Sequence, residues 1–316
     1  MPRGGSPSDP PAGAPPQSPF GAMNIGEVAN APFAVLPDPG QVFLTRARRL
    51  EALAPGHALE GYLRLVGAIC SAQNDIVSVL PPVALPHADL LTAARTHQMP
   101  PIPMAHFVPD RVADATFTAL VDRLPRNPAA ASASATLVTL AGATVSDRAV
   151  MMAAVVNDEV PAEAIAAHVV AAAAVQVHFT RLAARLDVTT LQKVANGVCP
   201  SCGGRPVASA IVGWEGAANT RFCTCSICAT QWNVPRVTCL SCGSEKGIVY
   251  HGLEGASDTV KAETCESCGS YVKILYQVRE PGLDAVADDV ATLGLDLKLR
   301  HEGVARASAN PFLLGY

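Results

Sequence analysis

The chain has 316 residues, of which 49% are hydrophobic and 16% charged, so it can bury a sizeable core and is long enough for two domains. Its formal net charge of -4 gives no global attraction to nucleic acid or to an anionic membrane. Nine of its ten cysteines lie between Cys199 and Cys268. The N-terminus lacks the apolar run of a signal peptide, so we expect a cytoplasmic protein, where clustered cysteines are metal ligands more often than disulfides.

The first part of the chain divides into a tail and a helical region. Residues 1–38 are rich in proline and glycine without apolar periodicity, which predicts a disordered tail. Apolar residues then recur at three- and four-residue spacing, so a helical domain is predicted over 39–196. One helix is expected to start at Ser146, and the longest to span Pro161–Leu186. The apolar stretch Ala164–Val177 is too short to span a membrane, so no membrane insertion is expected.

After residue 196 the helical periodicity is lost and short β-favouring runs appear, which predict two β modules over 197–238 and 239–280. Helical spacing returns in 281–316, where one C-terminal helix and a tail are expected. Acidic residues open that helix and basic residues close it, as the helix dipole favours: Asp284, Asp288, Asp289, Lys298, Arg300 and His301. The predicted fold class is α+β and multidomain: an all-α N-terminal domain, two tandem rubredoxin- or zinc-ribbon-like β modules and a C-terminal helix.

Four Cys-x-x-Cys pairs stand in the two β modules. They are Cys199 and Cys202, Cys225 and Cys228, Cys239 and Cys242, and Cys265 and Cys268. A two-residue gap lets both sulfurs of a tight turn point at one tetrahedral ion, and two such knuckles supply four ligands. In both modules 22 residues separate the second cysteine from the third, and each cysteine has a counterpart 40 positions later. This duplication predicts two all-sulfur metal sites with sequential pairing.

The residue after each pair supports this prediction. Gly203, Gly243 and Gly269 follow three of the pairs, and Ala229 follows the fourth. A knuckle favours a positive φ at this position, because backbone N–H groups then turn towards the sulfurs. Metal ligation, worth about 10–16 kcal/mol in small structural sites, is expected to supply most of the folding free energy of each module.

Three alternatives to sequential pairing stay open on the sequence: disulfides, a redox-active pair, and cross-bracing of the first pair with the third. The expected compartment argues against disulfides. A redox-active pair usually occurs singly at the start of a helix. The equal gaps favour sequential pairing over cross-bracing. Four thiolates suit zinc and a rubredoxin-type iron equally, so the predicted cofactors are two metal ions per chain, iron or zinc.

Other residues carry weaker signals. Cys223 precedes Cys225 by two positions and is interpreted as a small apolar side chain rather than a spare ligand. Cys70 lies in an apolar helix, where we expect a buried inert thiol. Trp214 and Trp232 are expected to cover the metal knuckles. The eight histidines form no metal or catalytic pattern and are expected at surface or core positions.

The charge of the β modules bears on the class of function. Residues 197–280 hold seven basic and seven acidic residues, and four thiolates around a divalent ion leave about -2 per site, so the metallated modules repel phosphates. A four-thiolate site leaves no open position for a reactive water. No catalytic residues are predicted. The remaining class is a protein-binding factor, with electron transfer through iron as the alternative.

Segments of both the early helices and the cysteine region match a known family. These segments are Arg46–Leu50, Tyr62–Gln73, Cys199–Val207, Arg221–Cys228 with Trp232, Arg236, Cys239 and Cys242, Lys261–Glu263, Cys265–Cys268, Tyr271–Tyr276, Ala285–Asp289 and Asn310–Leu313. Through them the sequence resembles the formate dehydrogenase accessory protein family, FdhE, over about residues 40 to 314.

The resemblance implies a role that the cysteines alone do not specify. Members of this family are cytoplasmic accessory proteins, not enzymes, and are needed for active molybdenum- or tungsten-dependent formate dehydrogenase. They bind its catalytic subunit during maturation, as a chaperone does, before that subunit is exported. Their double Cys-x-x-Cys region is rubredoxin-like and is associated with iron. Thr224 and Asn233 stand where some members have histidines, so no histidine-dependent role is carried over.

Overall fold

The computed structural model describes residues 30–253, 255 and 257–315, so positions 1–29 of the predicted disordered tail lie outside the described residues. The helices in this part are α1 (Pro39–Leu53), α2 (Glu60–Val77), α3 (Ala88–Thr96), α4 (Arg111–Arg123), α5 (Ser134–Ala141), α6 (Val145–Asn157), α7 (Ile165–Ala183), α8 (Ala285–Ala291) and α9 (Leu293–His301). The strands are β1 (Ala34–Val35), β2 (Pro206–Ile211), β3 (Arg221–Cys225), β4 (Gln231–Val234), β5 (Ile248–His251), β6 (Val260–Cys265), β7 (Ser270–Leu275) and β8 (Ala305–Arg306). The predicted fold class, helical and then sheet-rich with C-terminal helices, is confirmed.

Helix α7 is the core of the helical region, and 15 of its 19 residues are buried. It packs against α2, α4 and α6, because the run Ala171–Ala174 lets neighbouring helices approach closely. Its buried Gln176 side chain is paired: the amide donates to the carbonyl oxygen of Ser226 at 2.8 Å. The Gln73 amide of α2 donates to the carbonyl oxygen of Ala173 at 2.8 Å.

The apolar segment around α7 is longer than the sequence suggested. Ala162–Ala183 is long and apolar enough, by length and composition alone, to cross a membrane, and 67% of its most apolar window is buried inside the protein. The expectation that the apolar segment is too short was therefore wrong, because a 3₁₀ turn at Ala162–Ala164 and the last residues of α7 extend it to 22 residues. Its burial against neighbouring helices is typical of a core helix.

The strands of both β modules form one sheet, in the order β1-β4-β3-β2-β7-β6-β5, with β8 added beside β7. Within each module the strands are antiparallel neighbours. The modules meet where β2 pairs in parallel with β7, with Ser209 opposite Ile274 and Ala210 opposite Leu275. The predicted tandem modules therefore share a single sheet.

The duplication seen in the cysteines extends to the strands. Adding 40 to the positions of β2, β3 and β4 gives ranges that overlap β5, β6 and β7 respectively. Each module is thus a knuckle, a hairpin with the second knuckle at its end, and a third strand. The duplicated spacing reflects a duplicated structural unit.

The N-terminal part of the chain contacts both the sheet and the C-terminal helices. Strand β1 pairs with β4, placing Ala34 opposite Trp232, so residues 34–35 of the predicted disordered tail are ordered. On the other side, the Arg49 guanidinium of α1 lies 2.7 Å from Asp288 and 2.6 Å from Glu280. These charged contacts fix α1 against the C-terminal helices.

Three predicted helix spans were wrong. The longest helix, α7, spans Ile165–Ala183 rather than Pro161–Leu186, and a 3₁₀ turn at Ala162–Ala164 precedes it. Helix α6 begins at Val145 rather than Ser146, because the Thr144 side chain accepts from the Asp147 N–H and Asp147 accepts from Thr144, as in a capping box. The single C-terminal helix is instead α8 and α9, which meet at Thr292.

The physical reason for the break is a buried lysine. The Lys273 ammonium donates to the carbonyl oxygens of Asp289 and Thr292 at 2.9 and 3.1 Å, so these oxygens are occupied at the junction. Its charge is balanced by the carboxylates of Asp289, 3.0 Å away, and Asp296. Asp284 caps α8 as its position predicts, but Asp289 is a buried ion-pair partner rather than an exposed dipole residue.

Candidate metal centres

The first four-cysteine group lies where the first knuckle meets the end of a hairpin. Cys199 and Cys202 precede β2, Cys225 ends β3, and Cys228 lies in the following turn. The Sγ atoms of Cys199 and Cys228 are 3.6 Å apart, and those of Cys202 and Cys225 are 3.4 Å apart. All four residues are buried, and their sulfurs lie within 4.8 Å of one another. We call this group centre 1.

The second group repeats this arrangement in the second module. The Sγ atoms of Cys239 and Cys268 are 3.7 Å apart, as are those of Cys242 and Cys265. Cys242 and Cys268 are exposed, whereas Cys239 and Cys265 are buried. We call this group centre 2. The cysteines are thus brought together by sequential pairs and not cross-braced.

Backbone conformation explains how each knuckle aims two sulfurs at one point. The residue after each pair has a positive φ: 80° at Gly203, 57° at Ala229, 78° at Gly243 and 66° at Gly269. The predicted conformation is therefore present even at the alanine. It lets the N–H of Gly203 donate to the carbonyl oxygen of Cys199 at 3.0 Å, closing a tight turn. The same bond recurs at Gly243 and Gly269, at 2.9 and 2.8 Å.

The donor set fits a tetrahedral ion. In a tetrahedron with metal–sulfur bonds of about 2.3 Å, neighbouring sulfurs are about 3.8 Å apart. The short sulfur separations of both centres, 3.4 to 3.7 Å, are close to this value. All ten cysteines fall in the described part of the chain and none forms a disulfide there. Each group can therefore hold one metal ion, and the thiolate set does not discriminate iron from zinc.

The pKa values of the thiols within each centre are shifted in opposite directions. Burial raises the pKa of Cys199 well above its usual value. Burial alone would also raise the pKa of Cys225, but hydrogen bonds from the other three sulfurs hold it well below its usual value. In centre 2, burial opposes ionisation of Cys268, yet hydrogen bonds from the hydroxyl and N–H of Ser270 lower its pKa to about 6. A divalent cation would favour loss of the remaining thiol protons.

Sequence reasoning missed the hydroxyl groups beside the last cysteine of each centre. The Thr230 Oγ1 lies 3.2 Å from the Cys228 Sγ and donates to the Ser201 hydroxyl at 2.9 Å. The Ser270 Oγ lies 3.0 Å from the Cys268 Sγ. Thr230 and Ser270 each stand two positions after a cysteine and are 40 positions apart. The duplicated spacing could therefore have predicted a hydroxyl beside the last cysteine of each centre.

The remaining candidate residues lie outside the two centres. Cys223 is buried on β3, and Cys70 is buried on α2. Trp214 lies in the turn between β2 and β3, at the far end of the hairpin from the knuckles, with its ring 4.7 Å from that of Phe222, so its predicted role as a lid was wrong. Trp232 is buried on β4 opposite Cys223. Among the described residues no histidine joins either group.

The fold and the two centres define a class of protein: a helical region joined to one duplicated sheet that carries two four-cysteine groups, each able to hold a metal ion. Three family models match the chain: "FdhE, N-terminal" over residues 31–196, "FdhE, central domain" over 198–236 and "FdhE, C-terminal domain" over 237–313. The chain belongs to the FdhE family.

Individual relatives agree with this assignment over most of their length. The protein FdhE homolog of Rhizobium meliloti (strain 1021) is 45% identical over 300 residues, 92% of this chain and 96% of that protein. The homolog of Edwardsiella ictaluri (strain 93-146) is 33% identical over 281 residues, 88% and 90% of the two chains. The crystal structure of the FdhE protein from Pseudomonas aeruginosa has a TM-score of 0.79 at 31% identity and covers 90% of this chain and 99% of that one. Family membership supports a role as a formate dehydrogenase accessory protein.

Proposed function

We propose that this protein is a non-enzymatic maturation factor that binds the catalytic subunit of a molybdenum- or tungsten-dependent formate dehydrogenase in the cytoplasm. The observation that carries the proposal is its match to the FdhE family along both the helical region and the cysteine-bearing sheet. The alternative, a rubredoxin-like electron-transfer protein, is not favoured by these comparisons. A cytoplasmic site follows from the role, since the partner has to be bound before export.

The proposal assigns two metal ions to the eight cysteines of centres 1 and 2. Four thiolates complete a tetrahedral shell, so neither ion has an open position for water or substrate, which supports a structural or docking role over hydrolysis. Whether the ion is iron or zinc is decided by metal analysis of protein purified without oxygen. Native mass spectrometry should give two ions per chain. Fewer than two ions would overturn the ligand assignment.

The matched variants for the ligand assignment both lie in the first module. Cys199→Ala/Cys202→Ala removes half the ligands of centre 1 and should lose one ion. Cys223→Ala changes a buried cysteine that lies outside both centres and should keep both ions. An unchanged metal content in the double variant would contradict the sequential ligand set.

The role itself is tested in cells. Deleting the gene should abolish formate dehydrogenase activity, and the intact chain or Cys223→Ala should restore it. Affinity capture of the tagged chain from anaerobic, formate-grown cells should retain the formate dehydrogenase catalytic subunit. Normal enzyme activity in the deletion strain would refute the maturation role, and restored activity without captured subunit would refute the proposed binding.

The proposed absence of membrane insertion has its own test. The Ala162–Ala183 segment passes a length and composition test but is largely buried by its neighbours. We expect the protein to remain in the soluble fraction after cell lysis and ultracentrifugation. Retention in carbonate-washed membranes would contradict this.

A further inference from the structure

The two centres differ in their exposure to solvent. All four cysteines of centre 1 are buried, whereas Cys242 and Cys268 of centre 2 are exposed. The cysteines of centre 1 also belong to the main hydrophobic core of the described residues, which contains no cysteine of centre 2. A reagent in solution therefore meets sulfur at centre 2 and apolar side chains around centre 1.

A segment of the helical region covers centre 1. The N–H of Ile102 donates to the carbonyl oxygen of Ser201 at 3.1 Å, and the N–H of Met104 donates to that of Cys202 at 2.8 Å. A Cβ added to Gly204 would lie 3.1 Å from the Met104 Sδ and 3.2 and 3.3 Å from two sulfurs of the centre. The segment therefore lies directly against the sulfurs of centre 1 at Gly204.

Centre 2 lacks this cover in the described part of the chain. At Gly203 of centre 1 an added Cβ would meet Pro100 at 3.2 Å. At Gly243, its counterpart 40 positions later, the nearest atom would be the Asn196 Nδ2 at 3.9 Å. At Gly269 no atom lies within 4 Å of the added Cβ. Both knuckles of centre 2 therefore border open space.

The strands that carry centre 2 are held by contacts that do not involve its cysteines. Strand β7 pairs with β2 of the first module. Glu263 of β6 pairs with Arg221 of β3 at 2.9 Å, and Lys273 of β7 pairs with Asp289 at 3.0 Å, with all four side chains nearly fully buried. Opening centre 2 therefore leaves the strands of its module anchored to the first module and to the C-terminal helices.

We propose that centre 1 is a kinetically inert structural site, whereas centre 2 is an exchange site that releases and rebinds a soft divalent cation such as Zn²⁺ without unfolding. This inference rests on the ligand sets assigned under the proposed function. Exchange would be a ligand substitution, in which a donor atom of the incoming ligand replaces the Cys242 or Cys268 sulfur and that sulfur leaves as a free thiolate. No electron is transferred.

The test is chelator challenge of the full chain loaded with two zinc ions. Excess EDTA is added, and ions remaining on the protein are counted by native mass spectrometry over time. We expect one ion to leave quickly and the second at least about tenfold more slowly. The slower release requires the segment over centre 1 to open first, and an opening that costs little more than one net hydrogen bond lowers the rate of release about tenfold. Far-UV circular dichroism should stay unchanged through the fast phase.

Cysteine footprinting of the unmodified chain identifies which ion leaves first. N-ethylmaleimide present during the challenge should label Cys242 and Cys268 in step with the fast phase, while Cys199 and Cys202 stay unlabelled. A Cys242→Ala/Cys268→Ala variant should bind one ion and show only the slow phase. Because footprinting uses the natural sequence, it decides the question even if a variant does not fold.

The outcomes separate this inference from the proposed function. Loss of both ions in one phase, or labelling of centre 1 first, would overturn the inference while leaving the two-ion assignment intact. Fewer than two ions at the start would overturn the ligand assignment itself and this inference with it. Loss of the circular dichroism signal during the fast phase would show that centre 2 is structural too.

Discussion

Arg221 is the charged side chain that ties the first module to the second. Its guanidinium lies 2.9 Å from Glu263, and the two side chains are 0% and 3% exposed. It also donates to the Ser209 hydroxyl at 3.0 Å and to the carbonyl oxygen of Thr238 at 3.2 Å. Arg221→Met removes the charge and these bonds while keeping an unbranched side chain. The Glu263 carboxylate would then stay buried with the Tyr250 hydroxyl, 3.0 Å away, as a donor.

The size of the effect follows from burial. Removing one partner of a buried ion pair costs about 3–5 kcal/mol. Each lost hydrogen bond to a neutral oxygen adds about 0.5–1.5 kcal/mol, and the Tyr250 hydroxyl offsets part of this. We expect a net loss of about 4 kcal/mol in the free energy of unfolding. The matched control is Arg205→Met: Arg205 pairs with Asp158 at 2.8 Å, with side chains 50% and 74% exposed, and should cost less than about 1 kcal/mol.

The assay is urea unfolding of the zinc-loaded proteins at neutral pH, followed by circular dichroism and extrapolated to zero denaturant. Metal content is measured first, so that stability is compared at equal loading. Arg221→Met/Glu263→Gln should recover part of the loss, because the buried carboxylate is then neutral. A loss in Arg221→Met no larger than that in Arg205→Met would refute the claim that this pair holds the two modules together.

Three further predictions concern single side chains. Ala229 has a φ of 57°, a left-handed conformation that costs a residue with a Cβ about 1–2 kcal/mol, so Ala229→Gly should raise the free energy of unfolding in urea by up to about 1 kcal/mol. Burial lowers the pKa of His178 from its ordinary 6.5, so the unfolded chain binds more protons and stability is lost as pH falls below that value. The free energy of unfolding should fall by at most about 1.4 kcal/mol per pH unit. In His178→Phe it should depend less on pH. Burial raises the pKa of Cys70 to about 12, so iodoacetamide should modify Cys70 in urea but not in the folded protein, as read by mass spectrometry.

Each of these predictions has an outcome that contradicts it. Ala208→Gly, in the middle of β2, serves as the control for the first and should destabilise, so a loss of stability in both glycine variants would argue against backbone strain at Ala229. An acid-dependent loss of stability that persists in His178→Phe would assign it to other groups. Modification of Cys70 at the rate of a denatured thiol would show that α2 opens readily.

Much of the metal-centre geometry could be predicted because it is local. Cys199 and Cys202 are three positions apart, so one turn conformation decides where both sulfurs point. The glycines after the pairs marked that conformation, and the structure shows it at all four places. The equal gaps then indicated which knuckles meet. The helical character of the first half was also readable, since apolar spacing reports on the face that each helix buries.

Errors in the predicted elements arose from contacts between distant residues. Gly294 weakens the helix near Thr292, but the local sequence does not indicate the Lys273 ammonium that arrives from β7 and binds the carbonyl oxygens at the junction. Trp214 stands close to cysteines along the chain, but the hairpin carries it to the opposite end. Local spacing does not report such contacts, because they form only when whole elements pack.

Local spacing was enough to indicate how the cysteines group, their duplication and the succession of helices and strands, because spacing within a few bonds constrains local geometry. Packing between distant elements joins the modules into one sheet through β2 and β7, places Ala34–Val35 at one edge, and leaves centre 1 covered and centre 2 exposed. The cover on centre 1 comes from Ile102 and Met104, which lie far from the cysteines along the chain. The exposure of a site depends on every element that packs around it, because elements distant in sequence bury their apolar surfaces against one another.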